Sequence, residues 1–240
     1  AHAIGNYITF VDADDCIVAE SFCEDLFRQD MDLIVFDMAV LQSGKRSVWN
    51  GFDATGGLID RLDVLRRYIT SHNINGPCAK LYKASLLRRN NLYFDEGFVT
   101  AEDWFFGCSV VALAKKIQYV PSVSYLYYRE RGTSLSRLQR FPDTMLENVI
   151  AMYEKKKQLL QTELDKASDL PQLRSGAAAL VTESLFNCAA DLYLLGNQTP
   201  ARKERIVEVC TQANSWLLPG APKKTRVKSW LLTGFWLGIY

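Results

Sequence analysis

The chain changes texture at Phe141-Pro142, and that break constrains its fold more than any other feature. Ahead of it, short β-like runs alternate with helical patches, the pattern of strands covered by helices in an α/β layer arrangement. Strands are expected at 6–11, 32–41, 46–50, 78–82, 117–120 and 123–128, with helices near 18–29, 59–71, 84–90 and 103–115. Gly44, Gly51, Gly56-Gly57, Gly76-Pro77 and Asn90-Asn91 separate these segments.

Behind the break, strand signals stop. Thr144-x-x-Glu147 reads as a capping box that satisfies free amides at a helix start, and predicts a helix over 143–165. A second helix is expected over 171–195, with Val181, Leu185, Ala189, Leu192 and Leu195 on one stripe and Gly196 as a left-handed stop. Thr199-Pro200 supplies an N-cap and a first-turn proline for a third helix ending near 217. The expected organisation is an α/β portion over 1–140, a helical subdomain over 141–218, and a basic, aromatic C-terminal segment over 219–240.

With 28 Lys plus Arg against 27 Asp plus Glu, the 240-residue chain is not a basic nucleic-acid coat, and no nucleic-acid partner is expected. The six cysteines form no C-x-x-C pair and the two histidines are isolated, so neither structural zinc nor a disulfide scaffold is expected. Reduced, mostly buried thiols fit a cytoplasmic protein. Ala1–Phe10 lacks the basic start and long apolar run of a secretory signal. A chain already in a strand-like run by Tyr7 is expected to be cut from something longer.

The balance hides an asymmetry. Residues 1–37 hold Asp12, Asp14, Asp15, Glu20, Glu24, Asp25, Asp30, Asp32 and Asp37 against Arg28 alone. From residue 200 onward Arg202, Lys203, Arg205, Lys223, Lys224, Arg226 and Lys228 face only Glu204 and Glu208.

Phe10-Val11-Asp12-Ala13-Asp14-Asp15 is the sharpest local feature: an apolar run that stops in three carboxylates. Such a group needs open solvent, a cation or strong hydrogen-bond donors to stay ionised, and strand ends in α/β proteins are where ligands bind. Mg2+ or Mn2+ with a diphosphate would meet that need; an acidic turn capping the next helix, with Asp15 as the cap, is the other reading. A second acidic spot, Glu102-Asp103, follows Phe94-Asp95-Glu96-Gly97 and opens an apolar helix. Acids there either stabilise the helix start or supply a general base to the same cleft as Asp14.

Gly5-Asn6-Tyr7-Ile8-Thr9-Phe10-Val11-Asp12-Ala13-Asp14-Asp15 resembles the signature of family 2 glycosyltransferases, inverting nucleotide-sugar-dependent enzymes of the GT-A fold. Later landmarks of bacterial members that build surface polysaccharides follow in order: Lys80-Leu81-Tyr82-Lys83, Phe94-Asp95-Glu96-Gly97 with Glu102-Asp103, Lys115-Lys116-Ile117, Tyr125-Leu126-Tyr127-Tyr128-Arg129 and Ser134-Leu135-Ser136. Where the family carries a tryptophan before Lys-Leu-Tyr, this chain has Cys78-Ala79. The family's base-binding β/α units would precede Ala1, so the likeness is to its C-terminal part. By itself the chain is expected to bind nucleoside diphosphate poorly.

The resemblance implies a partial GT-A, Rossmann-like sheet and a set of roles. Asp14 would be the ligand of Mg2+ or Mn2+, Asp12 would lie near the donor ribose or the ion's outer shell, and Asp15 would be second to these or a helix cap. Asp103 would be the general base, with Glu102 the alternative. Arg129 and Arg131 would clamp the diphosphate, guanidinium geometry suiting phosphate oxygens, unless they lie on a solvated loop. Lys80 would approach phosphate or sit on an edge strand, and Trp104 would stack on a sugar or pack in the core. The partners implied are a nucleotide-sugar donor and a carbohydrate or lipid-linked acceptor.

Residues 223–240 pair Lys223, Lys224, Arg226 and Lys228 with an apolar, aromatic end too short to cross a bilayer. The segment is expected either to lie at an anionic inner leaflet with Trp230 and Trp236 at headgroup depth, or to dock on the helical subdomain. Two other functions compete. A haloacid-dehalogenase-like phosphatase also puts D-x-D after a strand, but Cys16 stands where that family wants Thr or Val. A non-catalytic binding or assembly module would leave the acids purely structural.

Overall fold

The computed structural model describes residues 3–52, 55–98, 100–129, 144–194 and 196–235. They divide into two compact units. One gathers the described residues of Ala1–Tyr68, His72–Asp95 and Glu102–Leu138, the other those of Ile69–Ser71, Glu96–Ala101 and Gln139–Tyr240.

The first unit is built on a mixed sheet of strands β1 (Tyr7–Ile8), β2 (Cys16–Ile17), β3 (Leu33–Gln42), β4 (Lys45–Trp49), β5 (Gly57–Ile59), β6 (Lys80–Lys83) and β7 (Ile117–Tyr128). The order is β1-β6-β3-β7-β2, with β4 also on β3 and β5 on β7. Helices α1 (Glu24–Arg28), α2 (Arg61–Thr70), α3 (Ala84–Arg89) and α4 (Glu102–Leu113) connect them. The class is α/β, as the alternating runs imply. Strand β3 is central, antiparallel to β6 and β4 and parallel to β7. Its run Leu33-Ile34-Val35-Phe36-Asp37 is wholly buried, so both faces of the strand are covered there and no solvent face is left to alternate toward.

Several boundaries differ from expectation for identifiable reasons. The strand predicted over 6–11 pairs only at Tyr7 and Ile8, so the acids follow on a turn rather than on the sheet. The helix predicted over 18–29 is a 3₁₀ turn at Ala19–Ser21 and the short α1. β2 and β5, of two and three residues, are too short to show a periodicity in the sequence. Strands predicted at 117–120 and 123–128 are one strand: the register jumps from Phe36↔Val120 to Asp37↔Val123, so Pro121 sits in a bulge where its missing N–H costs no ladder bond.

The second unit is helical: α5 (Met145–Thr162), α6 (Leu170–Leu194), α7 (Pro200–Asn214), α8 (Lys223–Trp230) and a π turn at Leu231–Phe235. Leu146, Val149, Tyr153, Val181, Leu185 and Val209 are among its buried core. The predicted stripe of α6 is buried at Val181, Leu185, Ala189 and Leu192; Leu195 is outside the described residues. Gly196 has φ +66, and the amide of Asn197 returns to Leu192 O at 3.0 Å, closing the helix as expected. Thr199 accepts the Arg202 amide on its side chain at 3.3 Å. Thr144, by contrast, makes no side-chain cap bond, so the predicted capping box does not form.

The C-terminal helix docks on this core. Thr225 and Ser229 are buried, Ser229 Oγ donates to Asn214 Oδ1 at 2.5 Å, and Lys228 Nζ meets Glu183 Oε1 at 2.5 Å. Among the described residues no helix is long and apolar enough to cross a membrane. Cys78, Cys108, Cys188 and Cys210 are buried free thiols; Cys16 and Cys23 are exposed.

Candidate functional site

All described members of the site lie in the sheet unit. The acidic run folds as a turn closed by the Asp15 amide donating to Asp12 O at 3.1 Å. Two residues of β7 hold it. Tyr125 Oη donates to Asp15 Oδ2 at 2.8 Å and accepts the Asp12 amide at 3.0 Å, while the Tyr128 amide donates to Asp15 Oδ1 at 2.8 Å. Asp15 is therefore the strut of the turn, not a helix cap. Its buried carboxylate accepts two hydrogen bonds, from Tyr125 Oη and the Tyr128 amide, and this leaves Asp12 and Asp14 as the exposed acids of the turn.

Burial, and then the charges of Asp15 and Asp14, push the Asp12 carboxyl above its ordinary value. Cys78 Sγ lies 4.0 Å from Asp12 Oδ2, and burial raises that thiol to about 11. Cys78 thus faces the acidic turn.

The second acidic spot is drawn to the first by aromatic packing. Phe10, two residues before Asp12, meets Tyr82, Phe94 and Phe106 edge-on at centroid distances of 5.6, 5.2 and 5.7 Å. Phe106 stacks on Phe94 at 4.4 Å. Phe106 lies one helical turn beyond Asp103 on α4, so the contact that seats the helix also brings its first turn toward the acids. Asp103 is pushed up to about 6, first by burial, then by the charges of Glu102 and Asp12, against the opposing pull of Lys80. The aromatic cluster was not singled out from sequence; Phe10, Phe94 and Phe106 each read locally as ordinary core residues.

Lys80 is neither an edge-strand residue nor a free cation. It lies on β6 between β1 and β3 and is 3% exposed, with Nζ donating to Gly76 O at 2.5 Å and Cys78 O at 3.3 Å. Burial lowers it to about 8, with Cys78 and Asp103 acting the other way. Trp104 packs in the core, its Nε1 donating to Tyr68 O at 2.8 Å, which removes it as a sugar platform. Glu102 is half-buried beside Asp103. Arg129 continues β7, its amide donating to Leu41 O at 2.7 Å, one residue past the Tyr128 amide that holds Asp15. Arg131 and Ser134-Leu135-Ser136 lie outside the described residues.

Among the described residues no group of three or more His, Cys, Asp or Glu gathers to hold a metal. Asp14 is exposed and accepts no hydrogen bond from a described residue, and Asp12 is two positions away. That donor set does not make an all-protein cage. It does fit Mg2+ or Mn2+, which are commonly held by one or two carboxylates with substrate phosphates and water completing the shell.

Neither a family model nor a curated protein matches the sequence. Solved structures do. S. aureus TarS 1–349 in complex with UDP-GlcNAc superposes with a TM-score of 0.58 at 18% identity, over 96% of this chain and 63% of that one. TarS 1–349 in complex with UDP gives 0.55 at 16% identity, over 99% and 69%, and TarS gives 0.53 at 17%, over 96% and 38%. This chain thus spans just under two-thirds of the TarS 1–349 that holds UDP-GlcNAc. At these identities the likeness is one of fold: a partial GT-A, Rossmann-like sheet with covering helices, followed by helices.

Proposed function

We propose that this chain forms part of a nucleotide-sugar-dependent glycosyltransferase that moves a sugar, with inversion, onto a hydroxyl of a carbohydrate or lipid-linked acceptor. One observation carries the reading. Phe10, two residues before Asp12, packs edge-on against Phe106, three residues after Asp103 on α4, with ring centroids 5.7 Å apart, which draws two acidic stretches far apart in sequence toward one another. The fold is one shared with a protein whose crystal structures hold UDP-GlcNAc or UDP.

Asp14, with Asp12 beside it, would hold Mg2+ or Mn2+, whose charge offsets that of the departing diphosphate. Asp12 would lie toward the donor ribose or the ion's outer shell. Arg129 and Arg131 would bind diphosphate oxygens.

Asp103 takes the proton from the attacking hydroxyl. A general base works best when its pKa lies near the ambient pH. At about 6, Asp103 is mostly ionised at neutral pH yet more basic than an exposed carboxylate. Glu102 keeps that value up by repulsion, and is the alternative base.

The test is calorimetric titration of UDP-GlcNAc with Mn2+ into the full-length protein, followed by transfer assays. Donor binding is expected to need Mn2+ and to vanish in Asp14→Asn, whereas Asp103→Asn should bind donor and stop turning over. Normal turnover in either variant overturns the assigned roles.

A further inference from the structure

The side of α8 turned away from the helical core carries Lys223, Arg226, Val227 and Trp230, spaced to share one helix face. All four are exposed, Val227 at 47% and Trp230 at 62%. The opposite side is occupied: Thr225 and Ser229 are buried, Cys210 Sγ lies 4.0 Å from Ser229 Oγ, and Leu232 in the following turn is 1% exposed. Lys228, at the boundary, pairs with Glu183 and stands 4.7 Å over the Phe186 ring.

Two features of the outer side bring the fold no return. Lys223 stands in the first turn of α8, where the helix dipole disfavours cations; its neighbour Lys224 has Glu183 Oε1 at 3.6 Å, but Lys223 makes no ion pair among the described residues. Trp230 leaves most of its surface in water although burial of an indole is strongly favourable. An anionic interface reverses both penalties, because lipid phosphates attract the lysines and the indole settles at headgroup depth. The charge complement extends beyond the helix: no Asp or Glu occurs from Val209 to Tyr240.

We propose that α8 is a peripheral docking element that lays Lys223, Arg226, Val227 and Trp230 on an anionic lipid bilayer while its inner side stays packed in the helical core. The two placements weighed for this segment are thus compatible, each using a different side of one helix.

Sedimentation of the full-length protein with vesicles of phosphatidylcholine alone, or with phosphatidylglycerol added, tests this. Binding is expected only to the anionic vesicles and should weaken as salt rises. The double variant Lys223→Glu/Arg226→Glu should lose about tenfold or more of that binding, and Trp230→Ala should lose part of it, both with unchanged melting because these side chains are outside the core. The charge-neutral pair Lys223→Gln/Arg226→Gln should fall between wild type and the reversal. Equal binding to neutral and anionic vesicles, binding to neither, or no loss on charge reversal overturns the proposal. Vesicle binding is read without donor or acceptor, so it stands or falls apart from the sugar-transfer reading.

Discussion

Tyr125 and Asp15 are joined by a 2.8 Å hydrogen bond, and the same phenol oxygen accepts the Asp12 amide at 3.0 Å, so one side chain on β7 fixes both ends of the acidic turn. The turn's conformation is set by the sheet rather than by the turn's own residues. Burial raises the phenol's pKa, with Cys78 and Asp15 acting in the same direction and the bond from the Asp12 amide against them, so Tyr125 keeps its proton and is the donor to Asp15.

Removing that phenol should therefore loosen the turn. Tyr125→Phe leaves the Asp15 carboxylate short of a donor and the Asp12 amide short of an acceptor. A loss of about 1–3 kcal/mol in urea unfolding is expected, the cost of an orphaned buried polar group. An unchanged midpoint and slope would show that the bridge contributes nothing.

Asp103→Asn should separate stability from turnover. The folded protein holds this carboxyl at about 6, up from 3.8, so ionisation is penalised in the folded state. The sign follows: stability is greatest at acid pH and declines as pH rises from about 4 to about 6. Asn carries no charge and escapes the penalty. The variant is expected to gain about 1–2 kcal/mol at pH 7, after discounting for partial exposure, while transfer falls about 10²–10⁴-fold. A melting temperature at pH 7 that is no higher than wild type, in a variant as stable as wild type at pH 4, argues against the burial of this charge.

Lys80→Met should act on Asp103 rather than on donor binding. Lys80 is the cation that opposes the rise of Asp103, so its loss should push the carboxyl further up. Under the proposed mechanism, the acid limb of the transfer rate would move from about 6 to higher pH, because the base is then protonated over a wider range. Lys80→Arg, which keeps the charge, should move it less. A limb that stays in place in Lys80→Met removes Lys80 from the site.

Gly107→Ala should disturb the helix that carries Asp103. A Cβ at this position would meet Tyr68 Oη, and would come within 2.7 Å of its Cε1 and Cζ. Tyr68 is 1% exposed and has no room to withdraw. Overpacking of this kind costs about 1–3 kcal/mol, and chemical unfolding measures it directly. A neutral effect would mean that α4 shifts freely at Gly107.

The acids of residues 1–37 show how far composition could be read. Three of them serve backbone amides or hydroxyls. Asp15 holds the turn, Asp32 Oδ2 accepts the Lys115 and Lys116 amides at 2.8 and 3.1 Å, and Asp37 Oδ1 accepts Gly51 N–H at 2.9 Å and Tyr119 Oη–H at 2.7 Å. Only Asp12 and Asp14 remain as exposed candidates near the turn. Lys115-Lys116-Ile117, a landmark of the resemblance, thereby has a structural task in starting β7 beside Asp32.

What the sequence determined alone is whatever depends on a few neighbouring residues. The stop of α6 at Gly196, the start of α7 at Thr199-Pro200, the buried stripe Val181–Leu192 and the unbroken apolar run of β3 all belong here, because backbone geometry and side-chain period act over one or two turns. Only the tertiary structure decided that Asp15 supports while Asp12 and Asp14 are exposed, that Lys80 is buried, that Trp104 is core, and that Asp103 feels Asp12. Desolvation and charge proximity arise from segments far apart in the chain being packed together, and no window along the sequence contains them.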